Sequence, residues 1–195
     1  GFSLRVPAEI RFGRGKAVEA LPDLAALGPR LLVIHGAKAD RAAWLLDGLR
    51  ACGAEVLGLP CAGEPDLDLL QATTAAARDF GPAAVIALGG GAALDLGKAV
   101  AALAPERHPP LDYLEVVGVG RKLTGPTLPF VAIPTTAGTG AEATKNAVIG
   151  VREHQRKVSL RDDRMLAHLA IVDPSLTDGC PRAVTLASGL DACVQ

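Results

Sequence analysis

Two turns rich in small residues hold the groups of this sequence best suited to chemistry. The first, residues 88–95 (LGGGAALD), follows an apolar run and opens a helical pattern. A helix that begins there presents unpaired backbone N–H groups and the positive end of its dipole, which suits a pyrophosphate. Its three glycines let the backbone approach an anion without Cβ clashes. The turn predicts a phosphate site; a ligand-free turn is the alternative, since Leu94 replaces the last small residue of a GxGxxG pattern.

The second turn, residues 135–140 (TTAGTG), offers three hydroxyl groups beside two glycines. The hydroxyls of Thr135, Thr136 and Thr139 suit the phosphates, ribose and base edges of a nucleotide, and capping of local backbone is the alternative. Each turn follows a predicted strand. Because open parallel sheets bind ligands at the carboxyl ends of their strands, we expect both turns to face one crevice. The two turns therefore predict a single shared nucleotide ligand.

The elements that must position these turns alternate between strands and helices. Continuous apolar strands imply burial on both faces, so we expect a mostly parallel sheet covered by helices. This alternation predicts an α/β fold with a doubly wound, Rossmann-like dinucleotide-binding domain. Strands are predicted at residues 8–12, 30–34, 55–59, 84–88, 130–134 and 169–173, helices at 40–52, 66–80 and 92–103, a hairpin at 146–151 and 157–160, and loop over 105–129.

Composition excludes several classes of function. Of the 195 residues, 49% are hydrophobic and 21% are charged, and the net charge is −1. No basic stripe suggests a nucleic acid or an anionic membrane as a partner, so the lysines and arginines are interpreted as solvated. No apolar run reaches the roughly 18 residues that a spanning helix needs. The four cysteines lack metal-site spacing and are expected to be buried free thiols in a cytoplasmic protein.

A last helix is predicted from residue 181, and the sequence stops within it at Gln195. We therefore expect residues 1–178 to form the dinucleotide-binding domain. Residues 179–195 would begin a second, all-helical metal and substrate domain whose remainder is absent. On this interpretation the chain is a piece of a longer protein and binds cofactor without turning over substrate.

Four stretches of the sequence resemble the iron-containing alcohol dehydrogenase family, also called group III. They are residues 89–98 (GGGAALDLGK), 133–142 (IPTTAGTGAE), 171–176 (IVDPSL) and 188–192 (SGLDA). The resemblance implies an oxidoreductase that transfers a hydride between NAD or NADP and a small alcohol, aldehyde or ketone. It also implies a divalent metal, iron or zinc, that polarises the substrate oxygen, and a homodimer in which residues 4–12 pair across the two-fold axis.

The resemblance also implies roles for residues of both turns and of the hairpin. The pyrophosphate would lie along Gly89, Gly90, Gly91 and Ala92. The adenosine and phosphates would contact Thr135, Thr136 and Thr139. The nicotinamide and its ribose would lie beside Asp95, the catalytic residue of this domain, and beside Thr144 and Lys157. The adenine would lie against Leu176. A solvated hairpin position is the alternative for Lys157, and ordinary packing is the alternative for Leu176.

Cofactor choice depends on the residue that follows the second strand. An acidic side chain there binds the ribose 2′-hydroxyl and repels a 2′-phosphate. This sequence has His35 and Gly36 at that place, with Lys38 and Arg41 nearby. Because that repulsion is missing, we hypothesise that NADP is accepted. Basic side chains that merely face solvent are the alternative.

The resemblance further implies a metal site of one Asp and three His, beginning with an Asp and a His one helical turn apart. The Asp matches Asp191, but four residues later the chain has Gln195. Spacing of four puts both side chains on one helix face. Gln supplies a neutral carbonyl oxygen, a weaker donor to iron or zinc than imidazole. A metal-independent site is therefore one alternative, and an ordinary helix-face carboxylate is the alternative for Asp191.

Other activities stay open within the superfamily. Maleylacetate reductase, glycerol dehydrogenase and dehydroquinate synthase resemble the family in architecture, although the TTAGTG turn favours the alcohol dehydrogenases over the synthase. A non-catalytic nucleotide-binding module is the alternative of a different class, because most of the metal and substrate pocket would lie beyond these residues.

Overall fold

The computed structural model describes residues 1–2 and 4–194 and has a six-stranded sheet at its centre. The sheet contains β1 Glu9–Phe12, β2 Arg30–Gly36, β3 Glu55–Cys61, β4 Ala84–Gly89, β5 Phe130–Pro134 and β8 Leu169–Val172, whereas β6 Asn146–Val151 and β7 Arg156–Arg161 form a separate antiparallel hairpin. The strand order is β1-β8-β5-β4-β2-β3, and every neighbouring pair is parallel. The predicted strands and hairpin are confirmed, and the first strand is an edge strand.

Helices cover both faces of this sheet. They are α1 Lys16–Glu19, α2 Leu21–Ala25, α3 Ala43–Ala51, α4 Leu67–Phe80 and α5 Gly91–Leu103, whereas α6 Arg182–Val194 follows the last strand and contributes none of its described residues to the core. Helix α4 begins where Asp66 Oδ1 accepts a hydrogen bond from Leu69 N at 2.9 Å, and it ends at Gly81, whose φ is 62°. The helix predicted from residue 40 begins at Ala43 instead, after a 3-10 turn over Ala39–Arg41.

Burial on both faces explains the continuous apolar runs of the central strands. All residues of β4 and β5 are buried. The core on one face includes side chains of α4, α5 and the hairpin, and the core on the other face includes those of α1, α2 and α3. Helix α5 comes close to the sheet at Gly97, where a Cβ would lie 2.7 Å from the Ala87 Cβ. The doubly wound α/β fold is confirmed.

The chain changes direction across the sheet between β2 and β4. From β2 it crosses to β3 on one side, whereas from β4 it crosses to β5 on the other. Ligands of open α/β sheets bind in the crevice outside the carboxyl ends of two such strands. These ends are Gly36 and Gly89, and a Cβ on Gly89 would lie 3.5 Å from the backbone N of Gly36. The fold therefore places the first predicted turn beside this crevice.

One buried carboxylate holds the long connection between α5 and β5. Glu106 accepts hydrogen bonds from Tyr113 Oη at 2.9 Å, Thr124 N at 2.6 Å and Gly125 N at 3.3 Å. Burial by itself would raise the pKa of Glu106, but these hydrogen bonds lower it to about 2. Arg78 binds the same connection by donating to the carbonyl oxygen of Glu106 at 2.6 Å. The connection is mostly loop, as predicted.

Two expectations about side-chain environment are wrong. Cys61 is buried, but Cys52 and Cys193 are exposed and Cys180 is partly exposed, because they lie at the end of α3, on α6 and just before α6. Lys98 is not solvated but buried in α5. Over residues 1–2 and 4–194, no helix has both the length and the apolar character needed to cross a bilayer.

Candidate functional site

The two predicted turns lie side by side at the carboxyl edge of the sheet. Thr135 N of the second turn donates a hydrogen bond of 2.9 Å to the carbonyl oxygen of Gly89 in the first turn. A Cβ on Gly90 would lie 3.3 Å from Thr136 Oγ1, and a Cβ on Gly91 would lie 3.2 Å from Thr139 Cγ2. Larger residues at either glycine would therefore enter the space between the turns.

Helix α5 directs its N-terminus at this junction. Gly90 is the N-cap residue, with extended backbone and no side chain to bond the amides of the first turn. The amide of Leu94 is bonded to the carbonyl oxygen of Gly90 at 3.2 Å. The N–H groups of residues 91–93 precede this ladder of intrahelical bonds, and together with the helix dipole they favour an anion.

The junction is flanked by two cavities, of which the first lies over the carboxyl ends of β2, β4 and β5. We name it the strand-end cavity; its volume is about 560 Å³. The predicted site residues that line it are Gly36, Gly89, Gly90, Thr135, Thr136 and Leu176. Its other lining residues include His35, Lys38 and Arg41, and the described residues that line it include no Asp or Glu. The cavity therefore presents amides, hydroxyls and basic side chains.

A buried carboxylate fixes the position of Leu176. Asp173 Oδ1 accepts hydrogen bonds from Ser175 N at 3.0 Å and Ser175 Oγ at 2.6 Å, and Oδ2 accepts one from Ala17 N at 3.0 Å. Burial opposes ionisation, yet these hydrogen bonds leave the pKa of Asp173 below its ordinary value. The 3-10 turn that follows, Pro174–Thr177, carries Leu176 to the strand-end cavity.

The second cavity lies between α5, the hairpin and α6. We name it the hairpin cavity; its volume is about 470 Å³. The predicted site residues that line it are Gly91, Ala92, Asp95, Thr139, Thr144, Lys157 and Asp191. Sequence reasoning did not find Glu64, Asn146 and Val148, which line it as well. Both cavities fall within the ~300–1,000 Å³ that is typical of small-molecule sites.

The boundary between the two cavities falls between two consecutive residues of the first turn. Gly90 lines the strand-end cavity, and Gly91 lines the hairpin cavity. A dinucleotide likewise has two nucleoside halves joined by a pyrophosphate. The arrangement therefore matches such a ligand, with the N-terminus of α5 at the middle. The contact assigned to each separate residue stays a prediction.

A buried ion pair lies behind the hairpin cavity. The Lys98 ammonium is 3.3 Å from Asp95 Oδ1, and the Lys98 side chain is fully buried. Burial lowers the pKa of Lys98, and Asp95 partly offsets this effect. Burial raises the pKa of Asp95, while Lys98 and a 3.1 Å hydrogen bond from Val148 N oppose the rise. Their spacing of three on a predicted helix was the signal that could have revealed this pair.

The hairpin is clamped to the connection between β3 and α4 by ion pairs. Lys157 Nζ lies 2.6 Å from Glu64 Oε2 at the hairpin cavity, and both side chains are exposed. Arg152 lies 2.6 Å from Asp66, the N-cap residue of α4. Nothing in the sequence relates Glu64 to a lysine 93 residues away. Lys157 is therefore at the predicted cavity but already has an acidic partner there.

Helix α6 brings Asp191 to the hairpin cavity. The helix lies close to the second turn, since a Cβ on Gly138, whose φ is 117°, would lie 2.1 Å from the Ser188 carbonyl oxygen. Gln195, the other predicted ligand, lies outside the described residues. Within the part of the chain that the structure describes, no three His, Cys, Asp or Glu side chains gather into a metal site. These residues alone do not fit a metal, and the ligand role of Asp191 stays a prediction.

Comparison with known proteins decides the family. The family model described as iron-containing alcohol dehydrogenase matches residues 7–174. The chain belongs to this family. The resemblance to this family is therefore confirmed, and the family is NAD(P)-dependent and metal-binding.

Relatives of this family member include dehydrogenases and a reductase. Long-chain-alcohol dehydrogenase 1 of Geobacillus thermodenitrificans (strain NG80-2) is 43% identical over 129 residues, covering 66% of this chain and 32% of that protein. The 4-hydroxybutyrate dehydrogenase of Cupriavidus necator is 33% identical over 134 residues, covering 67% and 35%. The crystal structure of sulfoacetaldehyde reductase from Bifidobacterium kashiwanohense in complex with NAD+ is 30% identical, with a TM-score of 0.84 over 98% of this chain and 51% of that one.

The shared region is one part of these iron-containing alcohol dehydrogenases. The chain spans about a third of the length of the two curated relatives and about half of the solved reductase. The names of the three relatives refer to three different substrates, so membership in the family defines a type of chemistry and not a substrate.

Proposed function

We propose that this chain supplies the dinucleotide-binding part of an oxidoreductase that transfers a hydride between NAD(P) and a small alcohol, aldehyde or ketone. The observation that carries the proposal is the division of the site at Gly90 and Gly91, with the amides of α5 between two cavities. The NAD+ complex of the sulfoacetaldehyde reductase relative supports the cofactor class. The two dehydrogenase relatives support the substrate class.

In this proposal the groups of the chain bind and orient the cofactor. The first-turn amides of α5 and the hydroxyls of Thr136 and Thr139 donate hydrogen bonds to the pyrophosphate. The strand-end cavity takes the adenosine half against Leu176, and the hairpin cavity takes the nicotinamide half beside Asp95. When bound, the dinucleotide supplies or accepts the hydride. Holding the ring at a fixed distance from substrate removes much of the entropic cost of the transfer.

We extend the proposal to NADP as an accepted cofactor. His35, Lys38 and Arg41 surround the end of β2, where Gly36 offers no carboxylate to repel a 2′-phosphate. Basic side chains at this place would pair with the 2′-phosphate in charge-assisted hydrogen bonds.

Calorimetric titration of the chain with NADPH and with NADH tests both statements. We expect both to bind, with NADPH at least as tight, and we expect Lys38→Ala to weaken NADPH about tenfold while leaving NADH unchanged. A hundredfold preference of the unaltered chain for NADH would overturn the NADP proposal alone. Failure of both dinucleotides to bind would overturn the proposed function.

We propose further that the protein is cytoplasmic and that two copies of it pair through β1. This strand has a neighbour on one side, β8, and the side chains of Leu4, Ile10 and Phe12 are exposed. Unpaired strand edges with apolar side chains favour pairing with another chain. Free cysteine thiols are consistent with a reducing compartment. Sedimentation over a range of concentrations tests the pairing, and a monomer at every concentration would contradict it.

A further inference from the structure

Side chains of α5 pair with one edge of strand β6. The opposite edge of β6 is paired with β7 in the hairpin. On the edge that faces α5, the Asn146 carbonyl oxygen accepts a hydrogen bond from Lys98 Nζ at 2.7 Å, and Val148 N donates to Asp95 Oδ2 at 3.1 Å. Asp95 and Lys98 therefore stand where the backbone of a neighbouring strand would stand.

Lys98 depends more strongly than Asp95 on finding hydrogen-bond partners. Its side chain is fully buried, and an ammonium group has three hydrogens to donate. Besides Asn146, its acceptors are Thr144 Oγ1 at 3.0 Å, the Thr144 carbonyl oxygen at 3.3 Å and Asp95 Oδ1 at 3.3 Å. A buried charge is tolerated when it is paired and its hydrogen bonds are complete, and Lys98 meets both conditions.

The acceptors of Lys98 form the wall of the hairpin cavity, whereas Lys98 itself does not line it. Asp95, Thr144 and Asn146 all face this cavity, and none of them lines the strand-end cavity. Lys98 thus links the Asp95 carboxylate of α5 to Thr144 and Asn146, where the chain enters the hairpin. A displacement of its ammonium would move one cavity and leave the other in place.

We propose that Lys98 is a positioning residue for the nicotinamide half of the cofactor, because its buried ammonium holds Asp95 and residues 144–146 together as one wall. The proposal rests on the proposed function and deepens it by assigning a residue to one half of the ligand. Lys98 acts through Asp95 and Thr144 and touches neither cofactor nor substrate.

The experiment compares two ligands on the same chain. NADPH fills both halves of the site, and 2′-phospho-ADP-ribose lacks the nicotinamide. Lys98→Met keeps the length and apolar stem of the lysine but removes the ammonium. We expect it to weaken NADPH binding about tenfold, comparable to the loss of one well-placed hydrogen bond, and to change the affinity for 2′-phospho-ADP-ribose less than about twofold. The change in nicotinamide fluorescence on binding should fall as well, since the ring is no longer held.

A second variant guards against a folding defect, because Lys98→Met leaves the Asp95 carboxylate buried without its cation. Asp95→Asn combined with Lys98→Met removes both charges and keeps an acceptor for Val148 N. The same selective loss is expected for this double variant. The matched control is Lys145→Met, which removes a lysine–carboxylate pair with Asp163 one residue from Thr144 but at an exposed position outside both cavities. It should leave both affinities unchanged.

The results separate the two claims. Equal losses of both ligands in the folded double variant, or an unchanged affinity for NADPH, would overturn the positioning role and leave the proposed function intact. An equal effect of Lys145→Met would also overturn it. An unaltered chain that binds neither ligand would overturn the proposed function and this proposal with it.

Discussion

The strand-end cavity and the hairpin cavity use different physical means to form one site. The strand-end cavity is built mostly from main chain and small neutral side chains at the ends of β2 and β4, where Gly36, Gly89 and Gly90 expose backbone. The hairpin cavity is built from ionised side chains that hold one another, in the pairs Asp95–Lys98 and Glu64–Lys157.

Because of this difference, the two cavities should tolerate different kinds of substitution. Backbone amides do not depend on any single side chain, so affinity for NADH in the strand-end half should survive most substitutions that add no bulk, and only a 2′-phosphate should depend on Lys38. Charge pairs each depend on two residues. Removing one partner of a buried pair strongly destabilises the protein, because the other charge stays buried. An exposed pair contributes little to stability.

The largest expected effect comes from adding bulk at the step between the cavities. Gly91→Leu would press on Thr139 and cover the first-turn amides of α5. We expect NADPH and 2′-phospho-ADP-ribose both to lose affinity by about 1,000-fold, or ~4 kcal/mol. Isothermal titration measures both. The matched control is Gly125→Leu, where a Cβ meets no atom within 4 Å. If Gly91→Leu still bound either ligand with unchanged affinity, the two cavities would not share the junction.

Glu106 lies outside both cavities, so its substitution should change the stability of the fold and leave ligand binding unchanged. The pKa of Glu106 is about 2 in the folded chain against an ordinary 4.5, so its stabilising effect is complete above about pH 4.5 and is lost as pH falls towards 2. We expect Glu106→Gln to reduce the free energy of unfolding by about 3 kcal/mol at pH 7. Urea unfolding should show that this difference narrows by more than half at pH 3, while the ratio of the two ligand affinities at pH 7 stays constant.

The exposed Glu115 provides the control for this measurement. Glu115→Gln should leave the free energy of unfolding nearly unchanged at both pH values, because exposed carboxylates contribute little. A Glu106→Gln effect that is the same at pH 7 and pH 3 would contradict the proposed origin of the stabilisation.

The smallest expected effect sharpens the contrast between buried and exposed pairs. Glu64→Gln releases Lys157, whose pair with Glu64 is exposed, so the change should be within ~1 kcal/mol. We expect NADPH to bind up to about threefold more tightly and with a stronger salt dependence, because the freed Lys157 ammonium attracts the anionic ligand, and we expect no change for 2′-phospho-ADP-ribose. Glu19→Gln, which removes an exposed pair with Lys16, is the control. Loss of NADPH affinity would mean that Glu64 serves the ligand directly.

The residues that sequence reasoning found are those whose role follows from local chain geometry. Glycines after a strand and before a helix predicted the junction. The continuous apolar runs of β4 and β5 predicted a sheet buried on both faces. Each of these patterns lies within about one element.

The residues that sequence reasoning missed depend on contacts between distant parts of the chain. Lys98 meets carbonyl oxygens 46 and 48 residues away, and Glu64 meets Lys157 93 residues away. Such distances become short only after the hairpin has docked on α5. The expectation that lysines are solvated failed at Lys98 for the same reason, since its acceptors belong to another element.

The side chains that meet the edge of β6 also occupy backbone groups with which another strand could pair. A strand with free N–H and C=O groups is a template for edge-to-edge association. With Lys98 on the Asn146 carbonyl and Asp95 on the Val148 amide, and with Gly150 N bonded to the Pro65 carbonyl oxygen at 2.8 Å, these groups of β6 are already occupied. The pair that shapes the cavity thus also removes two backbone groups from the free edge of β6.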